Sequence, residues 1–197
     1  GGSPHLGRSA LDAAELMSVG VNYLREHMID QARIHYAYVD AGGVSPNVVQ
    51  DRSLVKYEVR APKVTQMRDL FERVVDVARG AALMTGTSVE YDITMAFSDY
   101  ISNAVLAKIG DECFEEVGPP RWDEEDYRLA EGFLRTYDKA TINSIMEDLE
   151  EIYGTEGIEE VLRAPLDSKV HPWKEGNRTY RSGSTDVGDV SYVVPTL

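Results

Sequence analysis

Leu54-Val55-Lys56-Tyr57-Glu58-Val59-Arg60-Ala61-Pro62 alternates apolar and charged residues for six positions, Val55 to Arg60, and then meets a proline. Val55, Tyr57 and Val59 fall on one side of an extended chain, and Lys56, Glu58 and Arg60 on the other. This is the pattern of a strand with one face on a core and one open. We place the strand at about 48–60. Upstream, Gly42, Gly43, Ser45, Pro46 and Asn47 cluster as a turn. Before that turn, 33–39 is rich in aromatic and β-branched residues, including Ile34, Tyr36, Tyr38 and Val39, and reads as the partner strand.

Moving outward, 9–28 reads as a helix capped by Ser9, with Asp12 three residues on in a capping-box variant. Pro62 suits the first turn of a second helix, whose stripe is Met67, Leu70, Phe71, Val74, Val77, Ala78 and Ala81 and whose C-cap is Gly86. Residues 88–97 alternate again, Val89, Tyr91, Ile93, Met95 and Phe97 against Glu90, Asp92 and Thr94, and read as a third strand. The order over 9–97 is helix–strand–strand–helix–strand. That is a ferredoxin-like βαββαβ arrangement lacking its first strand. The expected class is α+β, with an antiparallel sheet covered on one face.

The remainder differs. Helices are expected at 102–116, 123–137 (capped by Asp123, with Asp126 at the third position), 141–153 and 156–163. Between 123 and 160 there are thirteen Asp or Glu and three Lys or Arg, as on a solvated acidic surface. Residues 164–185 read as loop, and Val190–Val194 as a strand. The expected domains are 1–99, and a mainly helical 100–197. The first and last residues look like cuts through a longer protein.

Net charge is -14, which argues against nucleic acid and against anionic membrane surfaces. No apolar run reaches membrane-spanning length. Cys113 is the single cysteine, so no intrachain disulfide forms, and a cytoplasmic setting is expected. Its amphipathic surroundings suggest a buried, inert thiol. The four histidines, His5, His27, His35 and His171, lack metal-ligand spacing, and no HExxH, GxSxG, Walker A or GxGxxG motif occurs.

Two features rise above this background. Asn47 opens the second strand and Arg60 ends its polar face. An amide and a guanidinium suit a carboxylate, the latter through two parallel charge-assisted bonds. A turn asparagine and a surface arginine would look the same. Gly183-Ser184-Thr185-Asp186-Val187-Gly188-Asp189 can offer backbone N–H groups and hydroxyls to a substrate, or only shape an Asx-turn.

Gly2-x-Pro4-x-x-Gly7-Arg8-Ser9-Ala10-Leu11-Asp12-Ala13, Gly42-Gly43-x-x-Pro46-Asn47-Val48-Val49, Val59-Arg60-Ala61-Pro62 and Gly183-Ser184-Thr185-Asp186 together resemble segments of the M20 metallopeptidase and amidohydrolase family. The wording is nearest the branch that cleaves p-aminobenzoyl-glutamate. The resemblance implies a two-domain hydrolase with a pair of zinc or manganese ions in a catalytic domain and an inserted lid that dimerises. It implies that Asn47 and Arg60 bind the substrate's free carboxylate, often across subunits. It also implies that Ser184, Thr185 and Asp186 belong to a substrate-binding loop of the catalytic domain. No catalytic residue or metal ligand is assigned within these residues, and none of them is expected to bind metal alone. The expected function is cleavage of an N-acyl glutamate amide by the longer protein, acting as a homodimer or with a related second subunit; the chain by itself is expected to be inactive. The competing reading is a non-catalytic ferredoxin-like dimerisation or regulatory module.

Overall fold

A computed structural model describes residues 2–161, 165–173 and 183–197, without the side chains of 151–153 and 155–161. The chain divides into two compact units, Gly1–Tyr100 with Ser182–Tyr192, and Ile101–Arg181 with Val193–Leu197.

The first unit is α+β. Helix α1 (Ala10–Leu24) starts where the Ser9 side chain accepts the backbone N–H of Asp12 at 3.2 Å. This satisfies one of the donors that a helix start leaves orphaned. It ends four residues earlier than expected, passing into a 3-10 turn, Arg25–His27. Strands β1 (Arg33–Asp40) and β2 (Leu54–Arg60) form a two-stranded antiparallel sheet in which Arg33 stands opposite Arg60, Ile34 opposite Val59 and Tyr36 opposite Tyr57. Helix α2 (Val64–Thr85) packs on α1, and Gly86 ends it in the left-handed region at φ 66. Pro62 lies just outside the helix, whose cap is Lys63. The core is the expected face of each element. Val21 and Leu24 of α1, Ile34 of β1, and Leu70 and Val74 of α2 are buried with Ala32, and Tyr57 and Val59 pack against them.

Two strand expectations change. Residues 48–53 are loop, because α1 captures them: Ala10 N–H donates to Gln50 O at 2.9 Å, and the Ser9 hydroxyl to Gln50 Oε1 at 2.9 Å. Gly42, at φ 89, turns the chain where a Cβ would lie 2.3 Å from Arg52 O. Residues 88–97 form no strand. Tyr91 instead meets the Phe71 ring edge-on, with centroids 5.8 Å apart. Alternation makes a segment fit for pairing, but a ladder needs a neighbour. In a βαββαβ order the last strand pairs with the first, and the described residues hold no strand before α1.

The second unit, among its described residues, is helical. Helix α3 (Ala104–Val117) is capped by Asn103, and α4 (Glu124–Leu134) by the Asp123–Asp126 capping box. Helix α5 (Lys139–Val161) is broken at Gly154, near the gap expected between two helices. No residue of α3 or α4 is buried, and Cys113 is exposed. The buried thiol expected from amphipathicity is therefore wrong, because the apolar face of α3 covers too little. Trp122 Nε1–H donates to Asp167 O at 2.6 Å, and His171 meets Asp167 at 2.5 Å. The expected loop over 164–185 holds for 165–173 and 183–185; its residues 164 and 174–182 lie outside the described set. Among the described residues no helix is long and apolar enough to cross a membrane.

Candidate carboxylate site

Arg60 is the last residue of β2, on the face of the hairpin turned away from the helices, as its alternation with Val59 dictates. Its side chain is 31% exposed, and Nε lies 3.6 Å from Glu58 Oε1. Its Nη2 donates to the Ser184 hydroxyl at 3.0 Å, across 124 residues of sequence. Arg33 stands directly opposite in the ladder. Two guanidinium groups thus share this end of the hairpin, with Glu58 beside one of them, in a chain of net charge -14.

Ser184 opens a turn. Thr185 Oγ1 accepts from Val187 N–H at 3.3 Å and donates to Asp186 Oδ1 at 3.4 Å. A short helix α6 (Val187–Ser191) follows in place of the strand expected at 190–194. It is fixed by its own turn bonds, Gly188 N–H to Thr185 O at 3.2 Å and Asp189 N–H to Asp186 O at 3.0 Å. Gly188 is buried against residue 98, where a Cβ would lie 2.1 Å from Ser98 O, so only glycine fits. Asp189 Oδ1 accepts Ser98 N–H at 3.0 Å.

Beside these contacts lies Asp99, whose side chain is 11% exposed. Its Oδ2 accepts from Lys63 Nζ at 2.8 Å; its Oδ1 accepts from Val64 N–H at 2.9 Å and from the Tyr192 hydroxyl at 3.0 Å. Burial alone would raise its pKa, but the Lys63, Val64 and Tyr192 donors outweigh burial and hold it below the ordinary carboxylate range. Tyr192 is pushed up in turn, first by donating to Asp99 and then by desolvation.

Of the residues expected to bind substrate, Arg60, Ser184, Thr185 and Asp186 lie on one side of this unit. Asn47 does not join them. It sits in the loop that leads into Leu54, and Leu54 and Arg60 alone are about 20 Å apart along a strand. The same loop packs on the start of α1, the end of that helix remote from Arg33. Asp99, Lys63 and Tyr192 were missed by sequence reasoning. Nothing local marks them, because Asp99 accepts the first N–H of a helix that begins 35 residues before it. Among the described residues no group of three or more His, Cys, Asp or Glu is placed to hold a metal ion.

No protein-family model matches the chain. Over 196 residues it is 39% identical to a p-aminobenzoyl-glutamate hydrolase subunit of Escherichia coli (strain K12), a match that covers 98% of this chain and 40% of that protein. Over 194 residues it is 30% identical to the Xaa-Arg dipeptidase of Mus musculus, covering 98% of this chain and 33% of that protein. Over 90 residues it is 37% identical to the indole-3-acetyl-aspartic acid hydrolase of Enterobacter agglomerans, covering 46% of this chain and 20% of that one. The chain thus spans 40% or less of the length of these relatives.

Proposed function

The chain is a relative of the M20-type peptidases and amidohydrolases, and from that kinship we propose that it contributes the carboxylate-anchoring part of a hydrolase acting on N-acyl amino acids. An N-acyl glutamate such as p-aminobenzoyl-glutamate is the substrate class favoured. Arg60 is the anchor, and Ser184 orients it. The observation that carries this reading is the Arg60–Ser184 hydrogen bond, which joins two segments 124 residues apart around a guanidinium. In a chain of charge -14, an anion needs a local cation to bind at all. The guanidinium fork suits a carboxylate better than a lysine would.

The chemistry is amide hydrolysis, and this chain's share of it is positioning: holding the free carboxylate so that the scissile amide is presented in one orientation. A zinc or manganese ion would activate water for the attack. The described residues of this chain do not fit such an ion, so the role proposed for them is confined to binding. Asn47 belongs to the loop that enters β2 at the end opposite Arg60, which favours a second copy or a related subunit supplying the amide. A cytoplasmic setting belongs to the same reading, resting on the single cysteine.

The test is calorimetric titration of p-aminobenzoyl-glutamate into this chain, wild type, Arg60→Gln and Arg60→Lys, with the α-carboxamide of the ligand as control. Wild type should prefer the free acid. Arg60→Gln should lose about tenfold or more in affinity for it, and Arg60→Lys should recover only part. Equal affinity of wild type and Arg60→Gln for the free acid refutes the anchor.

A further inference from the structure

We infer that Asp99, acting through Tyr192, is a positioning residue for the Arg60 site: it clamps the 184–192 segment so that the Ser184 hydroxyl stands where it orients the guanidinium. The inference deepens the carboxylate-site reading and rests on it for its ligand-binding arm alone.

Three observations carry it. First, Asp99 is nearly enclosed and accepts three donors from two segments: Lys63 Nζ and the Val64 N–H that opens α2, and the Tyr192 hydroxyl. A helix-start N–H and a lysine fix the carboxylate on the α2 side, and the third donor belongs to a short segment 93 residues away. Second, that segment is held at a neighbouring point by a separate contact, Asp189 Oδ1 accepting Ser98 N–H, with Gly188 pressed onto Ser98 O. Residues 98 and 99 therefore grip both 188–189 and 192. Third, Ser184 stands four residues before Gly188 and makes the contact with Arg60. The turn between them is internally bonded through Thr185 and Asp186, so a shift at one end is passed to the other. Arg60 Nη2 is held by Ser184, whereas Glu58 faces Nε only at 3.6 Å. Without Ser184 in place, the guanidinium loses the contact that sets its rotation.

The test uses the 197-residue chain. Nitrogen-15 NMR of the Arg60 Nε–H group, assigned by its loss in Arg60→Lys, gives the hydrogen-exchange rate of the guanidinium without any ligand. Tyr192→Phe removes one hydroxyl and leaves the Lys63 and Val64 contacts in place; Asp99→Ala removes all three. In each, and in Ser184→Ala, the Arg60 Nε–H exchange rate should rise about three- to tenfold. In Tyr192→Phe/Ser184→Ala the rise should be no greater than in Ser184→Ala alone, because the clamp acts only through Ser184. N-acetyl-glutamate affinity, measured in the same variants, should fall by the same factor with the same non-additivity.

Additive effects of Tyr192→Phe and Ser184→Ala, or an unchanged exchange rate in Tyr192→Phe, overturn the inference. Failure of the carboxylate reading is distinguishable. There, Arg60→Gln binds N-acetyl-glutamate as wild type does, while the exchange-rate cycle still reports whether Asp99 and Tyr192 set the guanidinium. A general loss of packing would raise backbone amide exchange throughout the first unit in Tyr192→Phe, and that result also overturns the inference.

Discussion

Replacing Asp99 by Asn keeps the shape of the side chain and removes its charge. Oδ1 can still accept from Val64 N–H and the Tyr192 hydroxyl, but as a neutral amide oxygen. A hydrogen bond to a charged group is worth roughly 1.5–3 kcal/mol and a neutral one roughly 0.5–1.5, so the part-buried bond from Val64 N–H loses about 1 kcal/mol, while Tyr192 is exposed and water screens its share. The third contact becomes an NH2 facing Lys63 Nζ, but Lys63 is 63% exposed, so water screens that loss to at most a few tenths of a kcal/mol. The total is about 1 kcal/mol at neutral pH, which for a unit of this size moves the urea midpoint by about 0.5 M. The pH dependence follows from the sign of the shift. The folded pKa is depressed, so the carboxylate contributes stability that is fully present above its unfolded value of about 3.9 and is lost as pH falls through the folded value. The gap between wild type and Asp99→Asn should therefore be constant from pH 7 to pH 5 and close as the pH drops below about 4. Urea unfolding followed by circular dichroism at pH 7, 5 and 3 measures it. A gap that persists undiminished at pH 3, or is absent at pH 7, refutes the assignment of three charge-assisted bonds to Asp99.

Ile34→Ala empties the centre of the core, where Ile34 is 1% exposed, and should cost about 3–4 kcal/mol in urea unfolding; a loss under about 1 kcal/mol contradicts the packing. Cys113 should react with a thiol reagent at the rate of a free cysteine in native buffer, and protection until unfolding would show the thiol to be covered. Tyr192 should titrate above the ordinary tyrosine value of about 10, and its raised pKa means the stability it adds is present below that pH and lost as pH rises through the folded value. Carbon-13 NMR of labelled tyrosines checks this, and a Tyr192 that ionises with or before the exposed tyrosines contradicts its bond to Asp99.

What the sequence revealed were the features settled by neighbours along the chain. Ser9 and Asp123 cap helices because their side chains reach N–H groups two or three residues on. Gly86 ends α2 because the left-handed region is cheap for glycine. The hairpin's faces followed from the alternation of 54–60. What failed depended on partners remote in sequence. Residues 88–97 have the strand pattern without a strand to join, and 187–191 form a short helix whose Asp189 is held by Ser98, 91 residues away. Of the candidate site, Arg60 and Ser184 were legible as separate motifs, but not as one contact. Asp99 was invisible: an aspartate after an apolar run says nothing about a tyrosine 93 residues later.

That separation sets the order in which the site can be assembled. The hairpin pairs residues only 27 apart at its widest rung, Arg33 with Arg60. The Asp99–Tyr192 and Arg60–Ser184 contacts close loops of 93 and 124 residues. Closure entropy grows with loop length, at about 0.6 kcal/mol per doubling, and contacts distant along the chain form late. On a ribosome, which delivers residues in order, the hairpin and both of its helices can therefore be complete while Arg60 still faces water with no serine beside it. The Arg60–Ser184 contact is the last that this unit acquires as it folds.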